Sequence, residues 1–348
     1  MVTRNDVAKH AGVSVAVVSY VINNKNNVKE STRRRVLQSI KELGYNPNLA
    51  ARSLKTKRTN QFGVLFNNLG NPFETGISLG LEAKAREYGQ SLIFQTFVRE
   101  EEEKLKTIFM GRTDGLILLG QSFQPETVEY FDRLGIPIIS ITSPVEAHPS
   151  VKIVDIDWHQ AMLDILKHLQ QNGHRKVGFI GSRMRDHHLH YRYQQFLRAV
   201  KDTGMEFQED WLLLADGRLE TAYMEMSGKL DSSSRLPFSA IVCANDLMAI
   251  GVLSACKDKG TNVPEELSII GCENILMASH TTPAVTTIHY PRRLIGFTAI
   301  ECMMKAVDKE STKPEGATLA YHLEVRDSSG RRQGDFSGLV RKPPFLNL

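Results

Sequence analysis

The first 60 residues begin with two short helical patterns joined by a glycine, and this arrangement constrains the fold most. In TRNDVAKHAGVSVAVVSYVINN, residues 3–24, Gly12 has the backbone freedom that a tight turn needs, and Ser14 is placed to cap the second helix through its hydroxyl. Small apolar residues recur at helical spacing and can face one core: Val7, Ala8, Ala11, Val13, Val18 and Ile22. Helices this short are stable only when they pack on further structure.

A third helix is predicted at Ser31–Leu43, with Ser31 or Thr32 as its cap and Gly44 as its stop. Its apolar stripe consists of Val36, Ile40 and Leu43. Three such helices can form a small head. In a helix-turn-helix head of this kind, the exposed face of the second helix is free to enter the major groove of DNA.

Basic residues are concentrated in the same segment. Residues 1–60 carry 12 Lys and Arg against 3 Asp and Glu, whereas the rest of the chain carries 31 against 36. The formal net charge of +4 is therefore a property of the N-terminal part. The run Arg33–Arg35 alone would be equally typical of a solvated helix face, but beside a helix-turn-helix pattern it favours DNA as the partner.

Three motifs resemble the lactose-repressor family of bacterial transcription regulators. They are D-V-A-K-x-A-G-V-S at Asp6–Ser14, V-S-Y-V-I-N at Val18–Asn23 and L-G-Y-N-P-N-L-A-A-R-S-L at Leu43–Leu54. Weaker similarity continues through most of the remaining chain. The resemblance implies a homodimer that binds double-stranded DNA at a pseudo-palindromic operator, represses transcription and responds to a small-molecule effector, with a sugar favoured.

From Phe62 onward, short apolar runs alternate with amphipathic helical stretches, which is typical of parallel sheets covered on both faces. The strand predictions are Phe62–Phe66, Ser91–Phe97, Gly115–Gly120, Pro137–Ile141, Val151–Asp157, Lys176–Gly181, Trp211–Asp216, Ala240–Ala244, Leu267–Gly271 and Val285–His289. The helical stretches include Phe73–Tyr88, Trp158–Gln171, Tyr191–Thr203, Leu247–Lys259 and Arg292–Lys309. So many strands exceed one ordinary sheet, and the predicted fold class is α/β, with two lobes behind the helical head.

The resemblance implies a periplasmic-binding-protein architecture in which the chain crosses between the lobes three times. It divides the chain into a helix-turn-helix head at 1–46, a hinge helix and linker at 47–59, an effector-binding and dimerisation domain at 60–340 and a tail at 341–348. The N-lobe would comprise about 60–158 and 291–318, and the C-lobe about 159–290 and 319–340. The tail contains Pro343 and Pro344 and no heptads, so a tetramerising coiled coil is not expected.

Composition argues against several other classes. No apolar run approaches the roughly 20 residues that span a bilayer, and the polar N-terminus is unlike a signal peptide, so a cytoplasmic protein without membrane contact is expected. The four cysteines lack metal-ligand spacing and are expected to be buried thiols: Cys243, Cys256, Cys272 and Cys302. No cofactor or metal is expected. A solute receptor would need a signal peptide, and an enzyme such as a sugar kinase would need a phosphate-binding loop or a nucleophile motif, so neither class is favoured.

Three side chains of the second helix are predicted to read bases, because they lie opposite its buried stripe and match the positions that make base contacts in the family: Val15, Ala16 and Tyr20. Val15 and Ala16 form no side-chain hydrogen bonds, so they would select by contact with a thymine methyl or by shape. A role in helix packing stays open for Val15. Tyr20 stands where many relatives carry an arginine that reads guanine. Contacts to the DNA backbone are expected from Thr3, Asn5, Ser14, Ser19 and Asn23.

The segment Pro47–Lys55 is predicted to be a hinge that becomes helical only when it packs on DNA and on the dimer mate, since two turns are too short to be stable in water. The resemblance implies that Leu54 wedges into a base step of the minor groove. It also implies that Ala51 keeps the paired hinges close and that Arg52 and Lys55 supply positive charge. The alternative is a flexible basic linker.

The effector is expected in the cleft between the lobes, where loops at the carboxyl ends of strands converge. The resemblance assigns to this cleft Phe73 in an N-P-F turn, Arg192 in R-x-x-x-F, Asp246 in C-A-N-D, Glu273 in I-I-G-C-E-N and Tyr290 after T-T-I. Asp246 could instead cap the following helix. Glu273 replaces a usual Asp, Tyr290 replaces a common Gln, and Thr142 stands near where several relatives carry an Asp. A nucleoside, a sugar phosphate or no effector at all therefore stays open beside a sugar.

The loop RMRDHHLHYR, Arg183–Arg192, is the most unusual segment. His187, His188 and His190 could bind a metal or sense pH, but their spacing matches no standard metal motif, and a solvated loop at the rim of the cleft is favoured. If the loop faces the ligand, Asp186, His188 and Arg192 are the candidate contacts, and an anionic ligand becomes more plausible.

Overall fold

The computed structural model describes residues 2–23, 25–46, 58–142, 148–182, 188–232, 235–308 and 316–332. The chain divides into two compact units, Met1–Thr59 and Asn60–Leu348. The first unit contains helices α1 (Arg4–Ala11), α2 (Val15–Ile22) and α3 (Glu30–Glu42).

The predicted turn between the first two helices is confirmed. Gly12 ends α1 in the left-handed region at φ +60°, and the Ser14 hydroxyl accepts a hydrogen bond from the backbone N–H of Val17 at 3.4 Å. The core of this head consists of Val7, Ala8, Ala11, Val18, Val21 and Val36. Val21 was not predicted to be in the core, whereas Val13 and Ile22 are only partly buried against it.

The predicted cap of α3 is wrong. The helix begins one residue earlier than expected, at Glu30, and Lys29 occupies the cap position without a side-chain hydrogen bond. Ser31 and Thr32 therefore lie inside the first turn. The predicted stripe is confirmed, because Val36 is buried and Ile40 and Leu43 pack against the core, and Gly44 follows the helix end at φ +59°.

The second unit is built on two six-stranded sheets. The first has the order β11-β5-β4-β3-β1-β2, and every pairing in it is parallel. Its strands are β1 (Gln61–Phe66), β2 (Ser91–Thr96), β3 (Gly115–Leu119), β4 (Ile138–Ile141), β5 (Val151–Ile156) and β11 (Ala317–Leu319). The second sheet has the order β12-β10-β9-β8-β6-β7, in which only β12 runs antiparallel to its neighbour. Its strands are β6 (Val177–Gly181), β7 (Leu212–Leu214), β8 (Ala240–Cys243), β9 (Ser268–Glu273), β10 (Thr286–His289) and β12 (His322–Glu324).

All the predicted strands are present, and the two short strands β11 and β12 were not predicted. Eight helices accompany the sheets: α4 (Pro72–Glu87), α5 (Glu102–Phe109), α6 (Pro125–Arg133), α7 (Trp158–Gln171), α8 (His188–Thr203), α9 (Leu219–Ser232), α10 (Asp246–Lys259) and α11 (Arg292–Asp308), counted within the described ranges. The central strands are buried on both faces, which explains why they read as continuous apolar runs rather than as alternating ones.

Alternate residues of β3 serve two separate cores. Leu116 and Leu118 pack with residues of α5 and α6, such as Phe109 and Phe131. Ile117 and Leu119, on the other face of the sheet, belong to the larger core that also contains residues of α4 and α11. A close approach between α4 and α11 is possible because a Cβ on Gly296 would lie only 2.6 Å from the backbone nitrogen of Leu81. Helix α11 is thereby fixed to the first lobe, although it follows a strand of the second sheet.

The chain passes between the two lobes three times. We call these passages crossover 1 (residue 157, between β5 and α7), crossover 2 (residues 290–291, between β10 and α11) and crossover 3 (residues 320–321, between β11 and β12). Crossover 3 is tied to α7, because the Tyr321 hydroxyl donates to Asp164 at 2.7 Å.

The four cysteines are free thiols, as predicted; three are buried and Cys302 is partly buried. Among the helices in the described ranges, none is both long and apolar enough to span a lipid bilayer.

Candidate DNA-binding surface and effector cleft

The outward face of α2 carries the three predicted base readers. Val15 and Tyr20 are each 41% exposed, and Ala16 is exposed as well. Val18 and Val21 on the opposite side of the same helix are buried. Val15 is not part of the core of the head, and the three side chains form one accessible, mostly apolar surface.

Thr3 has a local role that the sequence reading did not assign to it. Its hydroxyl accepts from the Asp6 backbone N–H at 3.3 Å and its backbone N–H donates to the Asp6 carboxylate at 2.8 Å, and these two bonds form a capping box at the start of α1. The hydroxyl also donates to the Asp6 carboxylate at 2.7 Å. These hydrogen bonds hold the pKa of Asp6 below its usual range. A phosphate contact by Thr3 would therefore compete with Asp6 for the hydroxyl hydrogen.

The other side chains predicted to contact the DNA backbone are accessible to a partner. Asn5, Ser14 and Asn23 are exposed and Ser19 is half-buried. Among the described residues the Ser14 hydroxyl accepts from Val17 and donates to none, so its hydrogen is available to a phosphate oxygen. Ser19 accepts from the Asn23 side chain at 3.4 Å and donates to no residue in the described ranges.

Several candidate residues lie outside the described part of the chain. They are the hinge residues Ala51, Arg52, Leu54 and Lys55, and Asp186 of the histidine-containing loop. His188 is the first residue of α8, but its side chain is outside the description too.

Phe73 is positioned by the start of α4. The side chain of Asn71 accepts from the Phe73 N–H at 3.0 Å, and Pro72 fits the first helical turn. Glu74 accepts from the backbone N–H groups of Asn67 and Asn68, and burial raises its pKa to about 7. The loop after β1 is thus folded back onto the helix, and the Phe73 ring is buried.

Three aromatic rings meet where the lobes join. The Phe73 ring lies edge-on to Tyr290 with 5.0 Å between centroids, and Tyr290 stacks on Trp158 at 5.9 Å. Tyr290 belongs to crossover 2 and Trp158 begins α7 directly after crossover 1. All three side chains are no more than 1% exposed. A buried aromatic cluster therefore joins the two lobes.

Arg192 is buried in this cluster. Phe196 packs on Phe179 at 4.6 Å and anchors α8, and Arg192 lies one turn away on the same side. The Arg192 guanidinium lies 4.0 Å from the Trp158 ring centroid and 5.4 Å from that of Phe73. A desolvated cation over aromatic faces is stabilised by the ring quadrupoles.

Arg192 and Glu273 form a buried ion pair at 2.9 Å, and both side chains are 0% exposed. Arg192 Nη1 also donates to the carbonyl of Ala244 at 2.6 Å. Burial raises the pKa of Glu273 above its ordinary range, and the neighbouring guanidinium opposes that shift. Arg192 Nε, Arg192 Nη2 and Glu273 Oε2 have no hydrogen-bond partner among the described residues. Since unpaired buried polar atoms are costly, this pair has spare hydrogen-bonding capacity for a ligand.

Both carboxylate oxygens of Asp246 accept hydrogen bonds from residues of the second lobe. Asp246 accepts from the Ile275 N–H at 2.8 Å and from the Thr287 hydroxyl at 2.6 Å, so it ties the end of β9 to β10. Burial raises its pKa. The alternative that Asp246 caps α10 is wrong, because the cap is Asn245, whose side chain accepts from Met248 N–H at 2.8 Å.

Tyr290 makes a contact that the sequence did not indicate. Its hydroxyl donates to Asp155 at 3.0 Å, and the indole N–H of Trp158 donates to both oxygens of the same carboxylate at 3.1 Å. Asp155 lies in β5 and is 6% exposed, so crossovers 1 and 2 are joined through one buried carboxylate. The signal that could have found it is an acidic residue within an apolar strand, VKIVDI, directly before a crossover.

The histidine-containing loop shows no sign of a metal site in its described part. His190 Nε2 lies 3.1 Å from the Gln194 amide, a contact within α8. Across the described ranges, no three His, Cys, Asp or Glu side chains are grouped so that they could hold a metal ion.

Burial raises the pKa of Asp155 to about 6. Because this pKa exceeds the ordinary value of 3.8, its contribution to stability is fully present below pH 4 and is lost as the pH rises through 6. We predict that the difference in unfolding free energy between wild type and Asp155→Asn falls by about 2 kcal/mol from pH 4 to pH 7. Urea unfolding of both proteins across this range measures it, and a difference independent of pH would contradict the assignment.

Comparison with known proteins agrees with this geometry. The profile described as "Bacterial regulatory proteins, lacI family" matches residues 3–48, and that of the "Periplasmic binding protein-like domain" matches residues 166–329. A solved structure described as a complex of the transcriptional regulator CelR with cellobiose is 28% identical, covers 94% of this chain and 100% of that one, and has a TM-score of 0.71. The lac repressor dimer bound to operator and an anti-inducer shares the fold, with a TM-score of 0.83 at 21% identity over 94% of this chain and 99% of that chain.

Two curated relatives extend over nearly the same length. Catabolite control protein A of Priestia megaterium is 30% identical over 332 residues, which is 94% of this chain and 99% of the relative. The HTH-type transcriptional repressor PurR of Actinobacillus pleuropneumoniae is 30% identical over 329 residues, which is 93% of this chain and 97% of the relative. With that identity over almost the full length of both proteins, this chain belongs to the lacI family of bacterial regulatory proteins.

Proposed function

We propose that this protein is a transcriptional repressor that binds a pseudo-palindromic operator as a homodimer and is controlled by a sugar in the cleft between its lobes. The observation that carries the proposal is the Arg192–Glu273 pair. It is buried where both lobes meet, has unused hydrogen-bonding atoms, and touches the aromatic side chains that join the crossovers. The protein would act in the cytoplasm, where its operator is.

Operator reading would depend on the exposed face of α2. Val15 and Ala16 would favour contact with thymine methyl groups or with a groove of matching shape. Tyr20 offers one hydroxyl group where many relatives have the guanidinium of an arginine. Two heads related by a twofold axis would read two half-sites, so the spacing of the half-sites follows from the dimer. Salt-dependent affinity is expected from the excess of Lys and Arg in the first 60 residues.

The head at 1–46 would be joined to the lobes by a hinge at 47–59 that folds against the minor groove. In this proposal Leu54 inserts at a base step, Ala51 lets the two hinges pack closely, and Arg52 and Lys55 lie near phosphates. The lobe limits given above, about 60–158 with 291–318 and about 159–290 with 319–340, belong to the same proposal.

A sugar fits the chemistry of the cleft. Aromatic rings pack against the apolar face of a pyranose, and a paired guanidinium and carboxylate provide donors and acceptors for vicinal hydroxyls. We propose that Phe73, Arg192 and Glu273 contact the sugar. Tyr290 would hold Phe73 in place through ring packing, and Asp246 would fix the strand ends next to Glu273. His188 and Asp186 would lie at the rim. A solved structure that is 28% identical and is described as a complex with cellobiose makes a sugar the first class to test.

Signal transmission would follow the chain of contacts from Arg192 to Trp158, Asp155 and Tyr290. A ligand that binds Arg192 alters its stacking on Trp158, and Trp158 is hydrogen-bonded to the carboxylate that joins crossovers 1 and 2. Closure or opening of the cleft would then change how the first lobes of the dimer are arranged, and with it the spacing of the paired hinges.

Selection of duplexes from a random pool by the full-length protein tests DNA reading directly. We predict a pseudo-palindromic site, and we expect Tyr20→Arg to shift preference toward guanine at one symmetric pair of positions, because Arg can contact guanine with two hydrogen bonds. Leu37→Arg, at an exposed position of α3, is the control for added charge. An unchanged profile for Tyr20→Arg would exclude Tyr20 as a reader.

Operator affinity measured by fluorescence anisotropy, with and without sugars, tests the effector site. We predict that Glu273→Gln weakens the response at least about tenfold in effector concentration, since it replaces a free acceptor with a donor, while affinity without effector is unchanged. Glu225→Gln, at an exposed position of α9, is the matched control. A full response by Glu273→Gln would remove Glu273 from the site.

A further inference from the structure

Two histidines lie face to face where the second lobe continues into the passages between the lobes. His289 ends β10 directly before crossover 2, and His322 begins β12 directly after crossover 3. The two residues are register partners in the antiparallel pair of strands, and their rings stack with 4.6 Å between centroids and an interplanar angle of 22°. Neither has a role in the DNA and effector assignments above. A change in their charge would act at two of the three segments that connect the lobes.

Asn274 fixes the protonation state of His289. Arg326 Nη2 donates to the side-chain oxygen of Asn274 at 2.7 Å, so the amide nitrogen of Asn274 is the atom that lies 2.9 Å from His289 Nδ1. An amide nitrogen donates and does not accept, so Nδ1 must accept and carries no hydrogen. Arg326 is itself held by the carbonyl of Val285 at 2.8 Å, and turning the amide over would oppose its N–H groups to the guanidinium. Protonation of Nδ1 would therefore break the bond between Asn274 and His289.

The surroundings of the ring also oppose a proton on it. Burial lowers the pKa of His289 below the ordinary value of 6.5, and the neighbouring His322, Arg292 and Arg326 lower it as well. Glu324 on β12 acts in the opposite direction. Three basic groups thus face the ring from β12, from the segment after it and from α11, against one carboxylate.

The carboxylates of the adjacent strands already have partners. Glu324 lies 3.2 Å from His322 Nε2, and Glu273, the register partner of His289 on β9, is paired with Arg192. If both stacked rings were protonated, like charges would lie on directly opposite residues of an antiparallel pair, which is destabilising. Acid therefore weakens the last pairing of β10 with β12 in addition to the bond from Asn274.

Asn274 also connects the stacked rings to the turn that carries Glu273. It directly follows Glu273 and has a left-handed backbone at φ +52°. The backbone N–H groups of Glu273 and Asn274 both donate to the Thr287 hydroxyl of β10, at 3.1 Å and 3.2 Å. The turn is thus held to β10 by Thr287 and by the bond between Asn274 and His289. Loss of that bond would loosen the turn and the start of crossover 2 together.

We infer that His289, Asn274 and His322 form a pH-sensitive switch at crossovers 2 and 3. When His289 takes up a proton, its bond to Asn274 breaks, the end of β10 separates from β12, and the crossovers hold the lobes less firmly. Operator binding requires one arrangement of the first lobes in the dimer, so acid weakens it. This inference rests on the proposed regulator function.

The test uses two substitutions that should change the pH dependence in opposite directions. His289→Asn keeps a side-chain acceptor near the position of Nδ1 and cannot take up a proton. Asn274→Asp replaces the donor by a carboxylate, which accepts from a protonated His289 and still pairs with Arg326. The matched control is His280→Asn, at an exposed position of the same lobe where the ring contacts its own turn.

Thermal unfolding of the full-length proteins from about pH 7.5 to pH 5.5 measures the switch without DNA or effector. Because the pKa of His289 is lowered on folding, its contribution to stability is fully present above 6.5 and is lost as the pH falls through the lowered value. The unfolding temperature of wild type should therefore fall by at least about 2 °C more than that of His289→Asn. Asn274→Asp should gain stability relative to wild type as the pH falls, and His280→Asn should follow wild type.

Operator affinity of the effector-free proteins, measured over the same pH range at constant ionic strength, shows the consequence for regulation. Wild type and His280→Asn should lose at least about threefold more affinity than His289→Asn as the pH falls, and Asn274→Asp should lose less than wild type. Comparison of variants at each pH cancels titrations that all of them share, such as those in the head.

Two results would overturn the inference and leave the proposed regulator intact. One is an unfolding profile that is the same for wild type, His289→Asn and Asn274→Asp; if Asn274→Asp does not fold, His289→Asn against His280→Asn decides. The other is an operator affinity whose pH dependence does not differ between wild type and His289→Asn. A full-length protein that selects no duplex at all contradicts the proposed regulator and the regulatory role of the switch with it. In that case the unfolding profiles still decide whether Asn274 holds His289 neutral.

Discussion

The buried pair of Arg192 and Glu273 is the interaction on which the cleft depends. A guanidinium and a carboxyl group at 0% exposure are costly to desolvate, and the cost is offset by their 2.9 Å contact and by the stacking of Arg192 on Trp158. The offset is incomplete, because several of their polar atoms have no partner in the described structure. A site of this kind gains most from a ligand that supplies the missing hydrogen bonds.

The Arg192–Glu273 pair is also connected to the segments that pass between the lobes. Trp158 connects Arg192 to Asp155, and Asp155 accepts from Tyr290, so the ion pair is linked to two of the three passages between the lobes. Tyr290, which the family resemblance assigns to the effector site, uses its hydroxyl for this link. A change at Arg192 therefore reaches the segments on which movement of the lobes depends, without a long series of intervening residues.

The sequence predicted the elements that depend on local patterns and missed those that depend on tertiary contacts. Continuous apolar runs identified each long strand, and Gly12 and Ser14 identified the turn of the head, because their effects are local. The start of α3 was wrong since Lys29 takes the cap position without a side-chain bond. The acidic residue in the apolar strand VKIVDI marks Asp155 as unusual, but its contact with Tyr290 could not be predicted, because the two residues are 135 positions apart and meet only in the folded structure. Arg192 and Glu273 were found through family resemblance, and their pairing required the structure.

Coupling between cleft and operator is the central claim, and Tyr290→Phe tests it most directly, since it removes only the hydroxyl that donates to Asp155. The quantity to measure is the ratio of operator Kd values with and without the sugar that stabilises wild type. The account predicts that Tyr290→Phe binds the sugar within a few fold of wild type but that this ratio moves toward one. A sugar-bound variant whose operator ratio equals that of wild type would contradict the account.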